Sequence, residues 1–184
     1  MELNVTELSK IFVALIYAAQ KHSRQKRKNK EGTPYINHLI DVTYLLVEVG
    51  KETDTDIILA AILHDTIEDT SATYNELAGK FGISVANYVM EVTDDKSLPE
   101  EERKQKQVDD APNLSPKVKI LKLCDKISNI TDVIHNPPVF WSLKRKMRYL
   151  DWSEKVVNQL RGSNVDLEKL FDQRISEGRR LLGN

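Results

Sequence analysis

The most constraining feature of this sequence is the run from Ile57 to Leu63, seven residues without one polar side chain, followed directly by His64-Asp65. A helix that is apolar on every side has to lie at the centre of its protein. The run therefore predicts a central helix over about Asp56–Ile67, with other elements wrapped around it. It also predicts a problem. An ionisable pair at the end of so apolar a stretch is costly unless it is paired or coordinated.

The remaining elements read as helices that could surround such a centre. Leu8, Ile11, Phe12, Leu15, Ile16 and Ala19 recur at three- and four-residue steps, with Thr6 as cap. This first helix is expected to run past His22 into the basic stretch Lys21–Lys30, until Gly32-Thr33-Pro34 breaks it. A second helix carries Leu39, Val42, Leu45, Leu46 and Val49 and stops at Gly50. Thr73 and Glu76 have the spacing of a capping box, and Ser84 is read as the cap of the helix bearing Val85, Val89 and Val92. The polar stretch 93–99 reads as a loop, and 99–110 as an exposed charged helix. Ser115-Pro116 opens a helix with Ile120, Leu123, Ile127 and Ile130 inward, ended before Pro137-Pro138. Two more follow, over about 141–160 and 164–175. No strand-like alternation, internal repeat or low-complexity linker interrupts the series. The expectation is one all-α domain over residues 1–184, a bundle of eight or nine helices.

Composition excludes several functions and supports none. With 27 basic and 28 acidic residues the net charge is -1, which gives no global case for nucleic-acid or membrane binding. No leader is read at Met1-Glu2-Leu3-Asn4, and no apolar stretch approaches the length of a bilayer span. The single cysteine, Cys124, cannot form an internal disulfide. A cytoplasmic protein is the simplest expectation.

The chemistry concentrates around the central helix. On a continuous helix, Glu68 lies one turn after His64, and Asp69 one turn after Asp65. One imidazole and three carboxylates would then project in one general direction, and a bound cation would relieve their repulsion. Asp125 lies among Leu121, Leu123, Cys124 and Ile127, with Asn129 one turn later, and His38 begins the second helix. His38, His64, Asp65 and Asp125 form a mixed nitrogen and oxygen donor set that suits manganese, iron or zinc better than calcium. A lone buried His or Asp is more often a hydrogen-bonded core residue. The combination of these groups, rather than any one, carries the metal reading.

Four ordered segments carry a family resemblance: Gly32-Thr33-Pro34-Tyr35-Ile36-Asn37-His38, Ala60–Thr70, Glu91–Lys96, and Lys122–Asn129. They resemble the hydrolase domain of RelA/SpoT-type alarmone enzymes, within the HD-domain metal-dependent phosphohydrolases. The match is best to the small alarmone hydrolases, which include the metazoan SpoT homologue, and it runs from about residue 17 to 170. The resemblance implies hydrolysis of guanosine 3′,5′-bis(diphosphate) (ppGpp), or of its pentaphosphate relative pppGpp, at the 3′-pyrophosphate. Pyrophosphate and GDP or GTP would be released with one Mn²⁺ per subunit. It implies His38, His64, Asp65 and Asp125 as ligands, and Glu68 and Asp69 as the groups that position and activate water. Asn129 would orient the metal-side network or the ribose phosphate. Arg27, Lys28, Arg145 and Tyr149 would lie at the substrate phosphates, and Tyr35 could stack on or flank the guanine. Most of the basic run is otherwise a solvated face, and Trp141 and Tyr149 could be core packing.

Two rival functions remain at this level. One is a phosphatase acting on the 2′-phosphate of NADPH, or another nucleotide phosphohydrolase, on the same site. The other is a degenerate nucleotide- or nucleic-acid-sensing module, which the intact ligand set argues against. The sequence leaves monomer and homodimer both open. His22 reads as a core histidine, His135 as exposed, and Cys124 as buried packing.

Overall fold

The computed structural model describes residues 5–183, and among them ten α-helices account for the architecture, with no strands. They are α1 (Val5–Lys21), α2 (Ile36–Tyr44), α3 (Thr55–Leu63), α4 (Thr66–Asp69), α5 (Tyr74–Phe81), α6 (Ile83–Val92), α7 (Glu100–Asp110), α8 (Pro116–His135), α9 (Leu143–Asn158) and α10 (Val165–Leu182). A π-helical turn, Leu45–Val49, extends α2, and a 3₁₀ turn, Ala111–Asn113, joins α7 to α8. Helices α3 and α4 derive from one sequence run. Taken together as a single interrupted helix, they bring the count to nine.

The apolar run forms the centre, as its composition demands. Every residue from Ile57 to Leu63 is buried. Helices α1, α2 and α6 pack on α3, and α8 packs on α2, α9 and α10 as well as on α3. The largest fully buried side chains include Leu39, Leu59, Ile62, Leu63, Leu121, Leu123, Ile127, Ile130 and Phe171. Asp54 caps α3 by accepting a hydrogen bond from Asp56 N at 2.8 Å. Thr73 caps α5 through Glu76 N, and Asn164 caps α10 through Leu167 N.

Several boundaries differ from those read in the sequence. Thr6 lies inside α1, and α6 starts at Ile83, so Ser84 is not its cap; Gly82, with φ +101°, makes that turn. Helix α1 ends at Lys21, and the basic residues after it form a loop. The loop is closed by pairing between Lys26 and Pro34 and by Arg27 N donating to Thr33 O at 2.8 Å. Gly32 sits at its tip with φ +59°, a conformation open to glycine at little cost. The last helix continues to Leu182, well past the expected Ile175, because Ile175 and Gly178 remain buried. At Gly178 an added Cβ would approach the Ile134 and Leu150 side chains within about 3 Å, so a larger residue would make them shift. Among the described residues no helix is long and apolar enough to cross a membrane.

Candidate metal centre and its cleft

The central helix does not run through His64-Asp65. It ends at Leu63, Asp65 takes φ -96° and ψ 0°, and helix resumes at Thr66. Thr66 Oγ1 donates to Leu63 O at 2.6 Å, satisfying a carbonyl that the break releases. The interruption gives the two following carboxylates different hydrogen-bond partners, although Lys96 Nζ lies within 3.8 Å of Glu68 as well as beside Asp69. Glu68 accepts from Asp94 N at 3.0 Å, whereas Asp69 accepts from Gln25 Nε2 at 2.6 Å and pairs with Lys96. Three carboxylates pointing one way, as a continuous helix would give, are therefore not what forms.

What does converge is His38, His64 and Asp65, whose ligand atoms lie within 4.8 Å of one another. His64 Nε2 stands 3.2 Å from Asp65 Oδ2, and His38 Nε2 stands 3.6 Å from the same oxygen. Asp125 reaches the group from α8, its Oδ1 at 3.3 Å from His38 Nε2 and 3.8 Å from His64 Nε2. Both Nε2 atoms are buried without a hydrogen-bond partner. The opposite ring nitrogens are engaged. His64 Nδ1 lies 2.8 Å from Ala61 O, which can only accept, so Nδ1 carries the proton and a neutral ring offers its Nε2 lone pair. His38 Nδ1 is 3.0 Å from Ser128 Oγ, which can fix that ring in the same way. Orienting a ligand imidazole through its second nitrogen is usual in metal sites.

The electrostatics favour positive charge at this point. Burial alone would lower the His64 imidazole, but Asp65 and Asp125 outweigh it and push it up to about 9. His38 moves the other way. Burial, assisted by Arg27, lowers it in spite of Asp125 and Asp65. Asp125 is driven well below the ordinary carboxylate range, against its burial, by Lys126 and the two histidines. Two orphaned imidazole nitrogens and two ionised carboxylates make a donor set that fits a divalent metal.

Glu68 is the second unusual group. Burial raises its carboxyl to about 7, assisted by the Asp65, Asp94 and Asp69 charges and opposed by the Asp94 backbone N–H. A carboxyl that titrates near neutrality beside a cation-binding cluster can accept and return a proton.

Two adjoining hollows flank the cluster. The larger, about 330 Å³, is lined on one side by the basic loop (Arg27, Lys28, Asn29) and on the other by Trp141 and Tyr149. The smaller, about 180 Å³, contains His64, Asp65, Glu68 and Asp125. Tyr35, Asn129 and Tyr149 line both and stand between them. Tyr35 O–H donates to Asp65 Oδ2 at 2.6 Å, and its ring stacks on His22 at 5.0 Å between centroids. Asn129 Nδ2 donates to Asp125 Oδ1 at 2.6 Å, and its carbonyl accepts from Arg27 at 2.9 Å. Arg27 is anchored by Asp132 at 2.6 Å and lies 5.6 Å from the Tyr35 ring.

The sequence-predicted residues thus fall into three places. His64, Asp65, Asp125 and Glu68 border the smaller hollow, and His38 is buried behind them. Arg27, Lys28, Tyr35, Asp69, Asn129 and Tyr149 border the larger. Arg145 lies outside both, in a groove beside α7, stacked on Trp141 at 4.6 Å and facing Glu100 at 3.6 Å. His22 is buried and bonded to Gln25 at 2.6 Å, and Cys124 is fully buried. Lys122 and Lys126 were given no role by the sequence reading, yet both are buried and line the smaller hollow. The pattern was available: two lysines, three before and one after Asp125, on the apolar side of an amphipathic helix.

A helical bundle with a buried His/Asp cluster beside a basic cleft defines a metal-centre protein of the hydrolase type. The HD-domain family model matches residues 14–148. Relatives named guanosine-3′,5′-bis(diphosphate) 3′-pyrophosphohydrolase MESH1 are similar over nearly the whole chain. The zebrafish (Danio rerio) protein is 44% identical over 93% of this chain and 95% of its own length. The human protein is 45% identical over 92% of this chain and 97% of its own. A solved structure described as a metazoan ortholog of SpoT that hydrolyses ppGpp superposes with a TM-score of 0.90 at 40% identity, covering 96% of this chain and 97% of that one. The chain belongs to the HD-domain family and, within it, to the MESH1 group.

Proposed function

We propose that this chain is a Mn²⁺-dependent guanosine-3′,5′-bis(diphosphate) 3′-pyrophosphohydrolase, acting on ppGpp and pppGpp. The observation that carries the proposal is the pair of buried, unpartnered histidine Nε2 atoms facing Asp65 and Asp125 at the inner end of a basic cleft. In this reading His38, His64, Asp65 and Asp125 hold one Mn²⁺, an ion consistent with the mixed donor set. When bound, the metal would lower the pKa of water and polarise the phosphoryl oxygen under attack.

The chain's own residues do the rest. Glu68, with its carboxyl near 7, takes the proton of the attacking water, and Asp69 helps to position that water. Water adds to the phosphorus carried on the ribose 3′ oxygen, the bond to that oxygen breaks, and the oxygen takes up a proton. The products are pyrophosphate and GDP, or GTP from pppGpp. Arg27 and Lys28 meet the nucleotide phosphates from the loop, Tyr35 and Tyr149 flank the nucleoside, and Asn129 ties substrate to Asp125. Arg145 reaches substrate from the α7 side of Tyr149. The whole chain works as one phosphohydrolase domain, with its motif-bearing core over about 17–170. It acts in the cytoplasm on a small nucleotide, as a monomer or homodimer, without nucleic acid or membrane as partner.

Purified protein with Mn²⁺ should release pyrophosphate from ppGpp much faster than it releases phosphate from NADPH. The reverse ranking would overturn the substrate assignment and favour a 2′-phosphatase. Binding of ppGpp without turnover of any nucleotide would mark a sensing module.

A further inference from the structure

The smaller hollow contains two cations that the mechanism above does not use. Lys122 and Lys126 lie one turn apart on the same side of α8, bracketing Asp125, and are 8% and 3% exposed. An ammonium carries three N–H donors. Lys122 Nζ has one protein acceptor, Val92 O at 3.4 Å, and Lys126 Nζ has one, Asp125 Oδ2 at 3.3 Å. Both distances are at the long end of the hydrogen-bond range. Lys126 also sits over the Trp152 ring at 4.4 Å, which supports a cation without using a donor. Two buried ammonium groups with most of their donors unfilled, both lining one cavity, are an expensive arrangement in a folded chain. An anion seated between them would fill those donors.

Size and surroundings narrow the anion. The hollow, about 180 Å³, is bounded by Leu121, Val92 and Trp152 and shares Tyr35, Asn129 and Tyr149 with the larger cleft. It has no basic loop and no room for a nucleoside beside the donor cluster. It also contains Glu68 and Asp94, so a phosphate entering it depends on cations to offset those charges. Lys96 faces Glu68 at 3.8 Å from outside the hollow, and among the described residues the lysines that line it are Lys122 and Lys126, next to an ion at the histidine cluster.

We infer that the smaller hollow is a diphosphate seat, in which Lys122 and Lys126 bind the outer phosphate of the scissile diphosphate and retain inorganic pyrophosphate after cleavage. The inference rests on the proposed pyrophosphohydrolase reading, and it orients the substrate: nucleoside in the larger cleft, scissile phosphorus beside Tyr35, Asn129 and Tyr149, outer phosphate against α8. The two lysines are then specificity-determining. A substrate bearing a single phosphate would leave them unfilled, which disfavours monoesters.

The test compares product inhibition by pyrophosphate and by GDP at fixed free Mn²⁺, in the parent protein and in Lys122→Met and Lys126→Met. Methionine keeps the volume and the apolar stem of lysine, so packing is preserved. The inhibition constant for pyrophosphate should rise about 10-fold or more in each variant, the loss expected for a charged hydrogen bond, while that for GDP stays within about twofold. Lys126→Arg should recover part of the loss. Equal shifts for both products, or a fall in bound Mn²⁺ that accounts for them, would mean that the lysines serve only as counter-ions to Asp125, and would overturn the seat. If the parent protein does not cleave ppGpp, the functional reading fails by itself. The seat is then judged by calorimetry of pyrophosphate binding to the Mn²⁺-loaded protein: equal affinity in parent and variants sinks it, and weakened binding in the variants upholds it.

Discussion

Helices α3 and α8 lie side by side in the core and deliver donors to the same cluster, but they handle polarity in opposite ways. Helix α3 is apolar from Ile57 to Leu63 and places its donors where the helix stops, at His64 and Asp65. The break leaves Asp65 18% exposed at the cleft. Helix α8 continues unbroken for 20 residues and buries Lys122, Asp125, Lys126 and Ser128 in its middle. Donors at a helix end can be served by a side chain from another element, as Tyr35 serves Asp65, and by solvent. Donors in the middle of a helix need lateral partners, and α8 supplies them from its own adjacent turns.

The comparison predicts unequal consequences for two ligands of one site. Asp65→Ala and Asp125→Ala should each cut turnover by about 10³-fold, the scale of losing metal activation of several kcal/mol. Asp125→Ala should cost more folding stability than Asp65→Ala, by about 3 kcal/mol in total, because it strips the buried Lys126 of its one protein acceptor. Chemical denaturation of both variants checks this, and equal stability losses would break the contrast between helix end and helix middle.

Glu68 sharpens the same contrast through pH. Its carboxyl stands near 7 in the folded protein, above its ordinary value of 4.5. Between those values the folded state holds a proton that the unfolded chain has released, so stability falls as pH rises through the window. Glu68→Gln removes that loss. In chelator, the variant should be more stable than the parent at pH 8, by about 3 kcal/mol, and matched to it at pH 4. A variant no more stable at pH 8 would show that Glu68 is ionised at no cost. The smallest effect concerns α8's lateral support. Ser128→Ala should weaken metal affinity by about 10-fold through loss of the His38 Nδ1 contact, read by competition with a chromophoric chelator. No change would mean that packing alone orients the ring.

Much of this was legible in the sequence, for physical reasons that differ by region. The central position of α3 followed from its apolar run, and the donor set followed from polar residues on otherwise apolar helix faces. The break at His64-Asp65 was not legible, because neither residue is a helix breaker and the stop is accompanied by a local bond, Thr66 to Leu63, and a long-range one, Tyr35 to Asp65. For that reason the sequence sent Asp69 toward the cluster, whereas the structure ties it to Gln25 and Lys96 at the cleft. The basic stretch after α1 reads as a helix by composition, yet Gly32 and Pro34 close it into a loop. That closure is what brings Arg27 to Asp132 and Asn129. Lys122 and Lys126 escaped notice because lysine beside aspartate on a helix ordinarily means a solvated ion pair.

The sealed position of Cys124 has a consequence of its own. Burial, with the Asp125 charge beside it, raises the thiol well above its ordinary value, so the nucleophilic thiolate is scarce while the fold is closed. A thiol reagent reaches it only when α8 swings away from its neighbours. The chain thus has a single internal reporter of how often its core opens, next to the residue whose loss should open it most.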